Sequence, residues 1–170
     1  MIIRRSTLHD LDEIVPILEE ARRTIAALGI DQWQNGYPER IDIEDDIARS
    51  RSYVLVRDGA VIGTFALIED GEPLYDRIEN GSWMTGNRRE GYNAVHRVAI
   101  AVSARGSGAS SELMRFVFDM TRMSGKSSVR IDTHEGNRVM RRMLEKHGFR
   151  ACGTTYIETG EPRIAYERLV

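Results

Sequence analysis

With 170 residues, 41% of them hydrophobic, and a formal net charge of −2, the chain has the size of one domain with a sizeable core. That charge gives no broad attraction to nucleic acid or an anionic membrane, no apolar run reaches the length of a membrane span, and Met1-Ile2-Ile3-Arg4-Arg5 lacks the layout of a secretory signal. Cys152 is the single cysteine, which excludes an intrachain disulfide and points to a reducing, cytoplasmic compartment.

Ile2-Ile3-Arg4-Arg5 reads as a first strand, followed by Thr7-Leu8-His9-Asp10, which has the form of a capping box. The next helix carries Leu11, Ile14, Leu18, Ala21, Ile25 and Leu28 on one face and stops at Gly29. Asp31 to Pro38 has turn chemistry with two large aromatics, Trp33 and Tyr37, and a short helix is expected from about Glu44 to Ala48. Tyr53–Val56 and Val61–Leu67 around Asp58-Gly59 form a hairpin. Residues 70–90 are polar and glycine-rich with scattered aromatics, Tyr75 and Trp83 among them, and read as a long surface excursion.

Val98-Ala99-Ile100-Ala101-Val102 reads as a buried strand. Leu113, Phe116, Val117 and Met120 then recur at helical spacing. Between them lies Arg105-Gly106-Ser107-Gly108-Ala109-Ser110, a glycine-bearing turn at a helix N-terminus. Backbone N–H groups leave such a turn without partners, and the helix dipole adds partial positive charge, so an anion can sit there. A Walker loop is absent: the one Gly-Lys-Ser, Gly125–Ser127, has Met120 where the earlier glycine belongs. The dinucleotide fingerprint lacks its third glycine. Anion binding and a tight turn that binds nothing both remain open on the hexapeptide alone. Val129–Asp132 is a short strand, Arg138–Lys146 a helix closed by Gly148, and two terminal strands surround Thr159-Gly160. Consecutive strands early and interleaved helices late predict a mixed α/β (α+β) fold on a partly antiparallel, partly parallel sheet.

Arg105-x-x-Gly108-x-Ser110 resembles the R/Q-x-x-G-x-G/A signature of the GCN5-related N-acetyltransferases (GNAT), with Ser110 where that signature has glycine or alanine. Asn137 followed by Met140 to Phe149 is similar to the family's N-x-x-a-x-x-l-y-x-k-x-G-F segment, and the spacing between the two fits. The resemblance covers roughly residues 92–158 and implies an acyl-CoA N-acyltransferase fold in a single domain, residues 1–170. It implies that Arg105, Gly106, Ser107, Gly108, Ala109 and Ser110 take the coenzyme A pyrophosphate. Backbone groups near Val98 and Ile100, on a strand splayed by a bulge, would hold the pantetheine, with Asn137 meeting it from the other side. Asn137 is equally suited to cap the following helix. Arg138, Arg141 and Arg142 read as a solvated helix face.

The co-substrate so implied is acetyl-CoA, with no metal: Asp132, His134 and Glu135 are too close in sequence to converge on one ion. The acceptor is expected to be a primary amine of a small molecule or peptide, attacking the thioester directly. An alkyl ammonium with a pKa of about 10.4 is protonated at neutral pH, so a base must take a proton from it. His96, two residues before Val98, is the candidate; period-2 geometry puts it on the face of Val98 and Ile100 unless the bulge intervenes. The family's usual tyrosine acid corresponds to Leu144, which leaves Tyr156 on the next strand as the nearest phenol. Trp33, Tyr37, Tyr75, Trp83, Asp132 and His134 are candidates to line the acceptor site. Cys152 reads as a packing residue. A non-catalytic acyl-CoA-binding or sensing module is the alternative that Leu144 keeps open, an ordinary nucleotide-binding domain a further one, and a homodimer is among the states the sequence allows.

Overall fold

The computed structural model describes residues 1–170. Seven strands and four α-helices follow in the order β1 (Ile2–Arg5), α1 (Leu11–Ala26), α2 (Arg40–Ala48), β2 (Ser52–Arg57), β3 (Ala60–Ile68), β4 (Tyr92–Ile100), α3 (Ala109–Met123), β5 (Ser128–Thr133), α4 (Arg138–Lys146), β6 (Arg150–Tyr156) and β7 (Pro162–Leu169). They form the mixed α+β fold read from the sequence. The chain divides into two compact units, Met1–Leu67 with Arg97–Phe116 and Ile68–His96 with Val117–Val170.

In the first unit β1, β2 and β3 pair antiparallel in sequence order, with a bulge in β2 between Leu55 and Val56. The hairpin turn holds Asp58 at φ 53° and Gly59 at φ 84°, the two left-handed residues a tight two-residue loop requires. Leu11, Ile14, Ile17, Leu18 and Ile25 of α1 are buried together with Val54, Leu55 and Phe65, an apolar stripe at helical spacing. α2 starts four residues before the sequence expectation. Glu39, an unusual capping residue, precedes it, and the Asp42 carboxylate accepts from the Glu39 N–H at 2.6 Å.

Asp10 fastens the start of α1. Its carboxylate accepts two bonds from the Arg4 guanidinium, at 2.7 and 2.8 Å, and one from the Thr7 N–H at 2.7 Å. The Arg4 hydrogen bonds outweigh burial and hold the carboxyl down to about 2. A depressed carboxylate stabilises the fold fully above its unfolded value of 3.8, and that contribution is lost as pH falls through about 2. Asp10→Asn is therefore expected to cost up to about 2 kcal/mol at neutral pH and almost nothing at pH 2. Urea denaturation of both proteins at the two pH values measures this.

In the second unit the order is β4-β5-β7-β6. β4 and β5 are parallel over three pairs, Tyr92↔Ser128 to Ala94↔Arg130, while β5–β7 and β7–β6 are antiparallel. β4 begins at Tyr92, six residues before the sequence expectation, and gives way after Ile100 to a single 3₁₀ turn at Val102–Ala104. The 70–90 segment also departs from the expectation of a surface excursion. Tyr75 and Trp83 are buried, the Trp83 indole donating to the Tyr75 carbonyl at 2.8 Å. Two large rings satisfy a core without the periodicity by which sequence announces burial.

Candidate active site

The glycine-bearing turn lies wholly in the first unit. Gly106 and Gly108 adopt φ 75° and 86°, where side chains are disfavoured, and a Cβ on either would meet open space. Ser107 closes the turn through its N–H and Oγ, both donating to the Ala104 carbonyl. α3 starts at Ala109, and the N–H groups of Ser111 and Glu112 donate to the Gly108 carbonyl at 3.0 and 3.1 Å. The N–H groups of Gly108, Ala109 and Ser110 have no acceptor and fall at the positive end of the helix dipole. Arg105 points its guanidinium to α1, donating to Thr24 Oγ1 at 2.9 Å.

Upstream, the Ala101 N–H donates to the Ile62 carbonyl of β3 at 3.0 Å. Strand alternation turns the N–H and C=O of Val98 and Ile100 the other way, and the ladder to β5 ends at Ala94. The main-chain groups the sequence argument needed free are thus unladdered. Ala99 and Ala101 take the buried face, whereas Val98 and Ile100 are half-buried, so the strand is less enclosed than its composition suggested.

Arg97 sits inside β4 at φ 53°, the left-handed geometry of a bulge. A non-glycine residue there costs about 1–3 kcal/mol and persists only where its surroundings impose it. The Arg97 guanidinium grips both Asp46 oxygens at 2.6 Å, with Asp46 buried, and donates to the Tyr37 hydroxyl at 2.6 Å. The bulge intervenes between His96 and Val98, so the period-2 argument that put His96 on their face does not hold.

In the second unit, His96 stands in a group the sequence named only in part. Its Nε2 is 3.0 Å from Glu72 Oε2 and its Nδ1 is 4.0 Å from Asp132 Oδ1. The Nε2···Oε2 approach is close, but it is out of line for a hydrogen bond and leaves that buried nitrogen without one. Asp132 Oδ1 accepts from the Tyr75 hydroxyl at 2.6 Å, and the Tyr75 ring lies 5.8 Å from the imidazole. Burial, reinforced by the negative charge of Asp132, raises the Tyr75 phenol well above its ordinary value, so it stays a proton donor. Glu72 is itself held: Oε1 accepts from the Leu74 N–H at 3.1 Å, and the Glu72 N–H donates to the Tyr92 hydroxyl at 3.0 Å. No motif marks Glu72; only the fold brings it to His96.

The acetyltransferase (GNAT) family profile matches residues 12–149. The chain belongs to the GNAT acetyltransferase family. A crystal structure of a GNAT acetyltransferase from Streptococcus agalactiae 2603 is 36% identical with a TM-score of 0.89, over 99% of this chain and 95% of that one. The ribosomal-protein-alanine N-acetyltransferase of Brucella melitensis shares the fold, with a TM-score of 0.70 at 16% identity and full coverage of both chains. GCN5-related N-acetyltransferase 6, chloroplastic, of Arabidopsis thaliana is 33% identical over 89 residues, 52% of this chain and 30% of that protein. The match thus spans under a third of that relative's length. The family transfers acyl groups from acyl-CoA to amines.

The other candidates are placed as follows in this GNAT fold. Asn137 caps α4, its Oδ1 accepting from the Met140 N–H at 3.1 Å. His134 Nδ1 accepts from the Gly136 N–H at 3.0 Å, shaping the turn after β5. Trp33 and Tyr37 are edge-to-face at 6.4 Å between centroids in the first unit. Trp83 is core, tilted at 47° to Tyr75 with 5.2 Å between ring centroids, and lies under the Arg130 guanidinium. The structure does not bring Tyr156 to His96: its strand is separated from β4 by β5 and β7, and its hydroxyl donates to Glu79 at 2.6 Å. That bond raises the Tyr156 phenol, with Arg77 stacked on the ring. Leu144 is fully buried core. Burial also pushes the Cys152 thiol up, which makes it a poor nucleophile.

Proposed function

We propose that the protein is an acetyl-CoA-dependent N-acetyltransferase acting on a primary amine of a small molecule or peptide. The observation that carries this is the row of unpartnered N–H groups at Gly108, Ala109 and Ser110, directly downstream of the unladdered end of β4. A diphosphate fits the first, and the amides of a pantetheine arm fit the second. Residues Gly106–Ser110 bind the pyrophosphate, and Val98 and Ile100 bind pantetheine through their main chain.

The incoming ammonium gives one proton to His96. The neutral amine then attacks the acetyl carbonyl carbon, and the resulting oxyanion requires a hydrogen-bond donor. Collapse forms the amide, breaks the C–S bond and releases the second nitrogen proton. The thiolate is protonated by solvent, which a thiol of pKa about 8.5 tolerates as a leaving group. Tyr156 has no part in this scheme.

Thiol release across a panel of amines, with thermal shifts for acetyl-CoA, tests the proposal. Stabilisation by acetyl-CoA and turnover with at least one amine are expected. Binding with no turnover on any amine favours the sensing module, and stronger stabilisation by ATP a nucleotide-binding domain.

Gly108→Val is expected to weaken coenzyme A binding at least about tenfold, from lost charge-assisted N–H contacts worth roughly 1.5–3 kcal/mol. The new side chain meets no protein atom, so it acts on the ligand's space and on the backbone angle. Calorimetric titration checks this, and wild-type affinity would contradict the placement of the pyrophosphate.

A further inference from the structure

Glu72 Oε1 is committed to the Leu74 N–H, which fixes Oε2 at 3.0 Å from His96 Nε2. Although out of line for a hydrogen bond, a bare Nε2 would hold its partial negative charge 3.0 Å from a carboxylate oxygen, with no hydrogen on either atom. That approach is repulsive in a site where His96 and Glu72 are both largely buried. The proton therefore belongs on Nε2. Nδ1 then carries the lone pair and looks across 4.0 Å at Asp132 Oδ1, whose one bonded proton comes from Tyr75. Two acceptors face each other with no hydrogen between them. A primary ammonium offers one N–H to each; a tertiary ammonium, with a single N–H, does not.

We infer that Glu72 is a positioning residue that sets the tautomer of His96, making Nδ1 the proton-accepting atom, and that Nδ1 with Asp132 receives the ammonium of a cationic primary-amine acceptor. This rests on the transferase reading above and extends it. On binding, the nitrogen donates one N–H to Asp132 and transfers another proton to Nδ1. The imidazolium formed has Glu72 at Nε2 and Asp132 at Nδ1, so its charge is matched at both nitrogens. The amine leaves that encounter neutral and nucleophilic.

Glu72→Gln tests the tautomer with little change in shape. The Leu74 N–H still needs an acceptor, so the amide oxygen turns to it and the NH₂ faces His96 Nε2. The proton then moves to Nδ1, the wrong atom. Imidazole ¹⁵N spectra at neutral pH are expected to show protonated Nε2 and bare Nδ1 in the wild type, and the reverse in E72Q. kcat for a primary amine should fall about 10²–10⁴-fold, the scale of a misplaced base, with KM for acetyl-CoA changed less than about threefold. A merely structural role for Glu72 would not invert the tautomer. Wild-type spectra with Nδ1 protonated, alone or together with Nε2, overturn the inference, as does an E72Q protein with unchanged kcat. A wild-type protein that acetylates no amine overturns the transferase reading instead, while the spectra still decide the tautomer.

Discussion

Truncating Glu167 to alanine is expected to destabilise the protein by about 3–5 kcal/mol, the usual cost of leaving a buried charge without its partner. Glu167 and Arg130 have side-chain exposures of 0% and 1%, with Arg130 Nε 3.0 Å from Glu167 Oε1. The guanidinium is also sandwiched, 4.2 Å from the Trp83 ring centre and 3.8 Å from that of Tyr92, and donates to the Gly86 carbonyl. Glu167 collects Ser128 Oγ at 2.6 Å, Thr85 Oγ1 and the Met84 N–H. Burial alone would raise its carboxyl, yet the hydroxyl donors and the Arg130 charge hold it below its ordinary value. One carboxylate thus ties the segment around Met84 to β5 and β7. Without it Arg130 keeps its charge and loses its counterion. For a chain of this length each kcal/mol moves Tm by about 2–4 °C, so a drop of roughly 10 °C is expected by calorimetry. Glu167→Gln keeps hydrogen-bond acceptors and should lose less. A loss below about 1 kcal/mol for the alanine variant would show that water or a rearranged Arg130 replaces the pair.

The parts legible in the sequence are those whose physics is local. The Gly106–Ser110 turn is marked by the residue that tolerates positive φ and by the change of hydrophobic period from strand to helix across it. The Asp58-Gly59 hairpin, the α1 stripe and the Asn137 cap are of the same kind. What stayed hidden is pairing over distance. Asp46 and Arg97 are 51 residues apart, Tyr75 and Asp132 57, Met84 and Glu167 83. A charged residue in such a pair looks in sequence like any solvated side chain, and nothing in the composition of 70–90 shows that Glu72, Tyr75 and Trp83 turn inward. Arg97 adds a second obstacle: its left-handed backbone is imposed by Asp46 and Tyr37, so a residue with no preference for that geometry occupies it and the strand period breaks unannounced.

Replacing His96 with alanine is expected to lower kcat by about 10²–10⁴-fold while coenzyme affinity stays within a few-fold of wild type. The imidazole contacts Glu72, Asp132 and Tyr75 and makes no bond to the Gly106–Ser110 turn. Its removal takes away a proton acceptor without touching the pyrophosphate seat. The size of the effect follows from the acceptor's acidity: at neutral pH about one amine in 10³ is already neutral, so without a base the reaction must wait for that fraction. Raising the pH supplies the neutral amine from solution, and the deficit of the variant should shrink by about tenfold for each pH unit gained. Initial rates from pH 7 to 9.5, with calorimetric titration of coenzyme A into the same variant, separate the two contributions. A deficit constant across that range would mean that His96 orients the amine without accepting its proton, and turnover equal to wild type would remove it from the mechanism.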